Sequence, residues 1–183
     1  LARRSAEQAQ IMSIIDEAAS LKASDIFLIM NRNEAQIHYR IAGDIERRFR
    51  IPTDRAKRLI QATYDSMSEA ADAHYDPTND QSARINPYYI EGTGLHQVRI
   101  TTGPTDQGSQ IMALRLHYDF GEPRNLLELG YSPTHVEIID QCTQYSCGIN
   151  LFAGPTGSGK STSLANHIGY CQIRDNYRRE VIT

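Results

Sequence analysis

Gly154-Pro155-Thr156-Gly157-Ser158-Gly159-Lys160-Ser161-Thr162 fills the pattern G-x-x-x-x-G-K-S/T without a gap. The residues on either side supply the context that this Walker A pattern needs. Upstream, Ile149-Asn150-Leu151-Phe152-Ala153 reads as a short buried strand. Downstream, Ser163-Leu164-Ala165-Asn166-His167-Ile168 reads as the first turns of a helix. A strand, a glycine loop and a helix N-terminus together turn backbone N–H groups toward a phosphate chain. The stretch therefore predicts binding of a nucleoside triphosphate. Gly154, Gly157 and Gly159 would let phosphate oxygens approach the chain and adopt angles closed to other residues. Pro155, Thr156 and Ser158 complete the cradle. Lys160 would reach the β- and γ-phosphates, Ser161 would place its hydroxyl on Mg²⁺, and Thr162 would lie near the α-phosphate.

The bulk properties restrict what surrounds this loop. A chain of 183 residues holds one or two domains with real cores. At 40% hydrophobic and 22% charged, its composition is that of an ordinary globular protein. A net charge of −3 argues against wholesale nucleic-acid binding, which usually needs a basic face. No apolar run approaches membrane-spanning length, and no signal peptide precedes the first helix. Cys142, Cys147 and Cys171 lack C-x-x-C spacing and read as buried thiols of a reducing cytoplasm. The chain starts at Leu1 rather than Met and stops inside Glu180-Val181-Ile182-Thr183, which reads as a strand beginning. Both ends are therefore expected to be cuts in a longer sequence.

Upstream of the loop, the apolar period predicts an amphipathic helix from Ala6 to Leu21. Asp25 to Met30 reads as a strand covered on both faces. Ile37, Tyr39 and Ile41 alternate with His38 and Arg40 in a second strand, and Ile45, Phe49 and Ile51 continue on a third. Thr53 is the expected N-cap of a helix whose inward face is Ala56, Leu59, Ile60, Thr63, Tyr64 and Met67. Ser68 to Ser82 reads as a helix end and loop. Three strand candidates follow, Arg84 to Ile90, Leu95 to Thr102 and Gln110 to His117. Phe120-Gly121-Glu122-Pro123-Arg124 reads as a linker, and Leu126, Leu127, Leu129 and Gly130 as a short packed element. Ser132-Pro133 opens a helix that closes near Cys147-Gly148.

Several separated segments resemble one family, the secretion-type traffic ATPases of type II secretion, type IV pili and type IV conjugation or secretion. The glycine loop has the wording usual there. Ala23-Ser24-Asp25-Ile26, followed by Tyr39-Arg40-Ile41-Ala42-Gly43-Asp44-Ile45, resembles its ASDIH and fRiDGxL pair. Val98-Arg99-Ile100-Thr101, Pro104-Thr105, Gly108 and Leu114-Arg115-Leu116 resemble its arginine-bearing strands. Pro123, Leu126 and Leu129-Gly130 resemble the segment that leads into the motor core. The chain departs from the pattern at Phe27, where His is common, at Ala42, where Asp is common, and at Ser109. Arg99 and Arg115 also stand one residue further apart than in the family pattern. These departures point toward a plasmid-transfer, type IVB secretion or pilus-retraction branch.

The resemblance implies an α/β architecture, with a PAS-like N-terminal domain followed by the beginning of a RecA-like P-loop core. Residues 1–120 would form the first domain, 121–148 a linker and the first core helix, and 149–183 the truncated start of the core. It implies ATP and Mg²⁺ as cofactors, with ATP lying between the domains and Arg99 and Arg115 approaching its phosphates. Lys160, Arg99 and Arg115 are then the catalytic candidates. The alternation supports this in part, because both arginines face away from apolar neighbours. The resemblance further implies a homo-hexamer in the full-length protein, which would be cytoplasmic and docked on inner-membrane platform proteins. The catalytic carboxylates would lie beyond Thr183, so this chain alone is expected to hydrolyse ATP negligibly.

Two other readings stay open at this stage. The chain could belong to another P-loop NTPase, such as a transporter ATPase, or its first domain could be a docking module for a membrane platform. Arg47, Arg48, Arg50, Arg55, Lys57 and Arg58 form a basic cluster, read as a solvated face. The histidines share no metal-ligand spacing.

Overall fold

The computed structural model describes residues 5–70, 74–105, 109–119, 124–145, 148–155 and 158–174. The expected linker residues Phe120 to Pro123, together with Gly108, Cys147, Thr156, Gly157 and the final strand at 180–183, lie outside them. The chain divides into two compact units, Leu1–Asp119 and Phe120–Thr183.

In the first unit the helical period produces α1 (Ala6–Ser20), opened by a capping box between Ser5 and Gln8. Its Ile11, Ile14, Ile15 and Ala18 are buried. Strands β1 (Asp25–Met30), β2 (Glu34–Ile41) and β3 (Asp44–Pro52) follow, and then α2 (Thr53–Met67). All six positions expected on the inward face of α2 are buried. After it come β4 (Ser68–Ala70), β5 (Gln81–Ile85), β6 (Leu95–Thr105) and β7 (Ser109–Tyr118). The described strands form one sheet in the order β3-β2-β1-β7-β6-β5-β4. Every neighbouring pair in it is antiparallel.

Strand alternation sends Ile26, Leu28, Ile37, Tyr39, Val98, Ile100, Met112 and Leu114 into one core with the apolar faces of α1 and α2. The Tyr39 hydroxyl sits 3.2 Å from the Ile14 carbonyl and 3.0 Å from Glu17 Oε2, tying β2 to α1. Within the first unit, α1 and α2 both pack on that one face, and neither covers the opposite face. Phe27 and Ile29 are only partly buried there, so β1 is closed on one face and half-open on the other.

Other local expectations change as well, and Cys142, expected as a buried thiol, is exposed. Pro52, not Thr53, is the N-cap of α2, and the Thr53 hydroxyl donates to the Asn31 carbonyl at 3.1 Å. Ser68 does not enter a loop, because β4 pairs with β5 as an edge strand. The strand expected over Arg84 to Ile90 starts earlier and ends at Ile85. Beyond it, Asn86 caps a 3-10 turn over Pro87–Tyr89, where the missing proline N–H would break a ladder. Ile149 to Ala153 forms no strand, and Ile149 and Leu151 are 94% and 86% exposed. A strand needs a ladder partner, and the described residues of the second unit offer none.

That unit contains α3 (Pro133–Gln144) and α4 (Lys160–Arg174). Ser132 caps α3 by accepting from the His135 N–H at 3.2 Å, with Pro133 at the first turn, and the helix ends short of Cys147. Asp140 of α3 accepts from the Tyr170 hydroxyl and from Arg174 Nη1 of α4, each at 2.9 Å. The basic cluster is largely exposed, and it is partly neutralised by Arg48 with Glu17 and Glu46, Arg50 with Glu34 and Arg58 with Glu7. Among the described residues, no helix is long and apolar enough to cross a membrane.

Candidate nucleotide site and an arginine row

Gly159 takes φ +85°, a left-handed angle, immediately before Lys160 opens α4. The first intrahelical bond runs from the Ser163 N–H to the Gly159 carbonyl at 2.8 Å. The N–H groups of Lys160, Ser161 and Thr162 therefore lack intrahelical acceptors and form the positive end of the helix. The Lys160 ammonium folds over the loop and donates to the Pro155 carbonyl at 2.7 Å. Ser158 donates its N–H to the same carbonyl at 3.3 Å. A Cβ on Gly154 would stand 2.7 Å from Ser158 Oγ, so close approach governs this position. Ser158, Ser161 and Thr162 are exposed.

The helix behind the loop is held by polar groups. Asn166, 4% exposed, donates to the Thr162 carbonyl at 2.8 Å and accepts the Arg124 N–H at 2.5 Å. It therefore joins the first turn of α4 to the segment near Leu126. His167 packs against Phe152 with ring centroids 5.7 Å apart. Burial, and then Arg174, push its imidazole below the ordinary 6.5, while Asp140 pulls the other way.

In the first unit the register lays a transverse row across the open face of the sheet. Arg40 pairs with Asp25, Asp25 with Arg115, Arg115 with Arg99, Arg99 with Arg84, and Arg84 with Glu69. Directly paired residues project to one face. Their chain neighbours Ile26, Val98, Ile100, Leu114 and Leu116 are buried on the other. Asp25 is 5% exposed. It accepts from Arg115 Nε at 3.0 Å and Ser24 Oγ at 2.8 Å, with Arg40 Nη1 at 3.6 Å. Arg99 and Arg84 form no ion pair with any described residue. His117 lies one alternation further along β7. Burial, then Arg99, Arg115 and His96, lower its pKa from 6.5, with Asp25 opposing.

The family model for type II/IV secretion system proteins matches residues 3–183. The chain belongs to this family. Type II secretion system protein E of Klebsiella pneumoniae is 30% identical over 156 residues, covering 84% of this chain and 30% of that protein. Competence protein ComGA of Bacillus subtilis is 26% identical over 171 residues, covering 93% of this chain and 46% of its own length. The type IV pilus assembly ATPase PilB of Thermus thermophilus is 29% identical over 159 residues, or 86% of this chain and 17% of PilB. The chain thus spans less than half the length of each of these relatives.

Within this family member, Arg99 and Arg115 stand side by side on β6 and β7, although the sequence reading has them one residue further apart than the family pattern. The register irregularity falls between Leu95 and Gln97, clear of them. They belong to the first unit, whereas Gly154, Pro155, Ser158, Gly159, Lys160, Ser161 and Thr162 belong to the second. Two supporting residues escaped sequence reasoning, Asn166 and Asp25. Asn166 looks like any polar helix residue. Asp25 left one signal, an acid opening an otherwise apolar strand inside a recognised motif.

Proposed function

We propose that this chain carries the nucleotide-binding part of a motor subunit for a secretion or pilus machine. The observation that supports it best is the left-handed Gly159 leading into α4, with the Lys160 ammonium held at the Pro155 carbonyl. In this reading the loop N–H groups and the Lys160 ammonium bind the β- and γ-phosphates of ATP. Ser161 suits Mg²⁺, because that ion keeps most of its waters and takes few protein ligands alongside phosphate oxygens. When bound, Mg²⁺ neutralises charge on the phosphates.

Arg99 and Arg115 add guanidinium groups that distinguish a triphosphate from a diphosphate by its extra charge. The two units then correspond to a PAS-like domain and the opening of a RecA-like core. In the full-length protein, ATP turnover drives domain motion in a hexamer attached to inner-membrane platform proteins. The names of the relatives, a type II secretion protein E and a pilus assembly ATPase, support this setting.

Titration of the chain with ATP and Mg²⁺ tests the core of the proposal. Lys160→Ala should weaken ATP binding by about tenfold or more, since it removes a charge-assisted contact to phosphate. Unchanged affinity would exclude this loop as the nucleotide site.

A further inference from the structure

We propose that Asp25 is a positioning residue that holds Arg115 in the orientation from which it reads the γ-phosphate. The inference rests on the proposed role of Arg115. Asp25 is a nearly buried carboxylate on the half-open face of the sheet, and both of its oxygens are used. Oδ1 accepts Arg115 Nε at 3.0 Å, while Oδ2 takes the Ser24 hydroxyl at 2.8 Å and lies 3.6 Å from Arg40 Nη1. Arg40 itself stacks over Phe27 at 5.2 Å, which fixes the far side of the carboxylate. Its grip on Arg115 is through one nitrogen.

A guanidinium has five N–H donors, so the terminal nitrogens of Arg115 stay available, and its side chain remains 63% exposed. Arg99 stands directly across the ladder from Arg115, and like charges at such positions repel. The charge of Asp25 offsets that repulsion and holds Arg115 between itself and an Arg99 that no described carboxylate engages. An ion pair whose arginine is this exposed adds little to folding stability. Ordering a long side chain before its ligand arrives does lower the cost of binding.

The test measures ATP and ADP dissociation constants of the complete protein for wild type, Asp25→Asn, Arg115→Gln and the double variant. Asp25→Asn should reduce the preference for ATP over ADP by about threefold to fivefold. Adding it to Arg115→Gln should cause no further loss. Equal weakening of ATP and ADP by Asp25→Asn, or full additivity in the double variant, overturns the inference. A loss of preference in Arg115→Gln with none in Asp25→Asn overturns it while leaving the role of Arg115 intact. An unchanged preference in Arg115→Gln removes that role, and the inference falls with it. Asp25→Glu keeps the charge and displaces it by one methylene, so it should retain more of the preference than the Asn variant. It carries the same cycle if Asp25→Asn does not fold.

Discussion

Gly159 and Gly154 occupy the same loop for different physical reasons. A side chain at Gly159 would be forced into the left-handed region at φ +85°, which costs about 1–2 kcal/mol. At Gly154 the one described atom that a methyl group would crowd is the Ser158 hydroxyl, which can turn aside, while Ser158 Cβ and Lys160 Cγ stand at ordinary contact distance. Gly159→Ala should therefore lower the melting temperature of the chain more than Gly154→Ala does. Equal melting temperatures would contradict the left-handed assignment. Two histidines give the chain a pH dependence. His117 and His167 both have folded pKa values below the ordinary 6.5. The unfolded chain takes up their protons first. Their contribution to stability is thus complete above about pH 6.5 and lost as the pH falls through the lower folded values. His117→Gln should flatten the drop in melting temperature between about pH 7.5 and about pH 5.5. An unaltered drop would show that His117 does not carry it.

Among the elements, the β2–β3 hairpin departs from ideal turn chemistry. Ile41 pairs with Asp44 across a two-residue turn in which Ala42 has φ +51° and Gly43 has φ +98°. Two positive φ values make this a primed turn, which favours Asn or Asp before Gly. Ala42 pays the steric cost instead. Ala42→Asn should stabilise the chain by about 0.5–1 kcal/mol, measured by urea unfolding with an unchanged slope. Destabilisation would mean that the turn has another geometry. At the start of α1, Ser5 Oγ accepts the Gln8 N–H at 3.2 Å and Gln8 Oε1 accepts the Ser5 N–H at 2.9 Å. Ser5→Ala should cost about 1 kcal/mol by the same assay, and no loss would show that this cap contributes nothing to stability. The S-x-x-Q spacing was available in the sequence as a helix-start signal. Edge strand β4 offered no such signal, since Ser68-Glu69-Ala70 has neither alternation nor β-formers, and only its pairing with β5 makes it a strand.

For the molecule as a whole, the main cluster of buried apolar residues runs from Ile11 to Leu116, inside the first unit. A core built that way is self-sufficient. Residues 1–119 expressed alone should melt in one cooperative transition, followed by circular dichroism, and a gradual loss of signal would contradict it. The sequence by itself determined whatever depends on near neighbours along the chain. The inward face of α2 follows from the helical period, and the outward direction of Arg99 and Arg115 follows from strand alternation. The glycine loop was legible because Gly159, Lys160 and Ser161 are adjacent in the chain. Tertiary structure alone decided what depends on register. Asp25, Arg115, Arg99 and Arg84 come from four strands, and only the packing of the shared core aligns them in one row. The same cause accounts for Ile149 to Ala153, where an apolar run reads as a strand but becomes one only beside a partner. A local pattern sets which way a side chain points, whereas burial of the opposite face sets what it points beside.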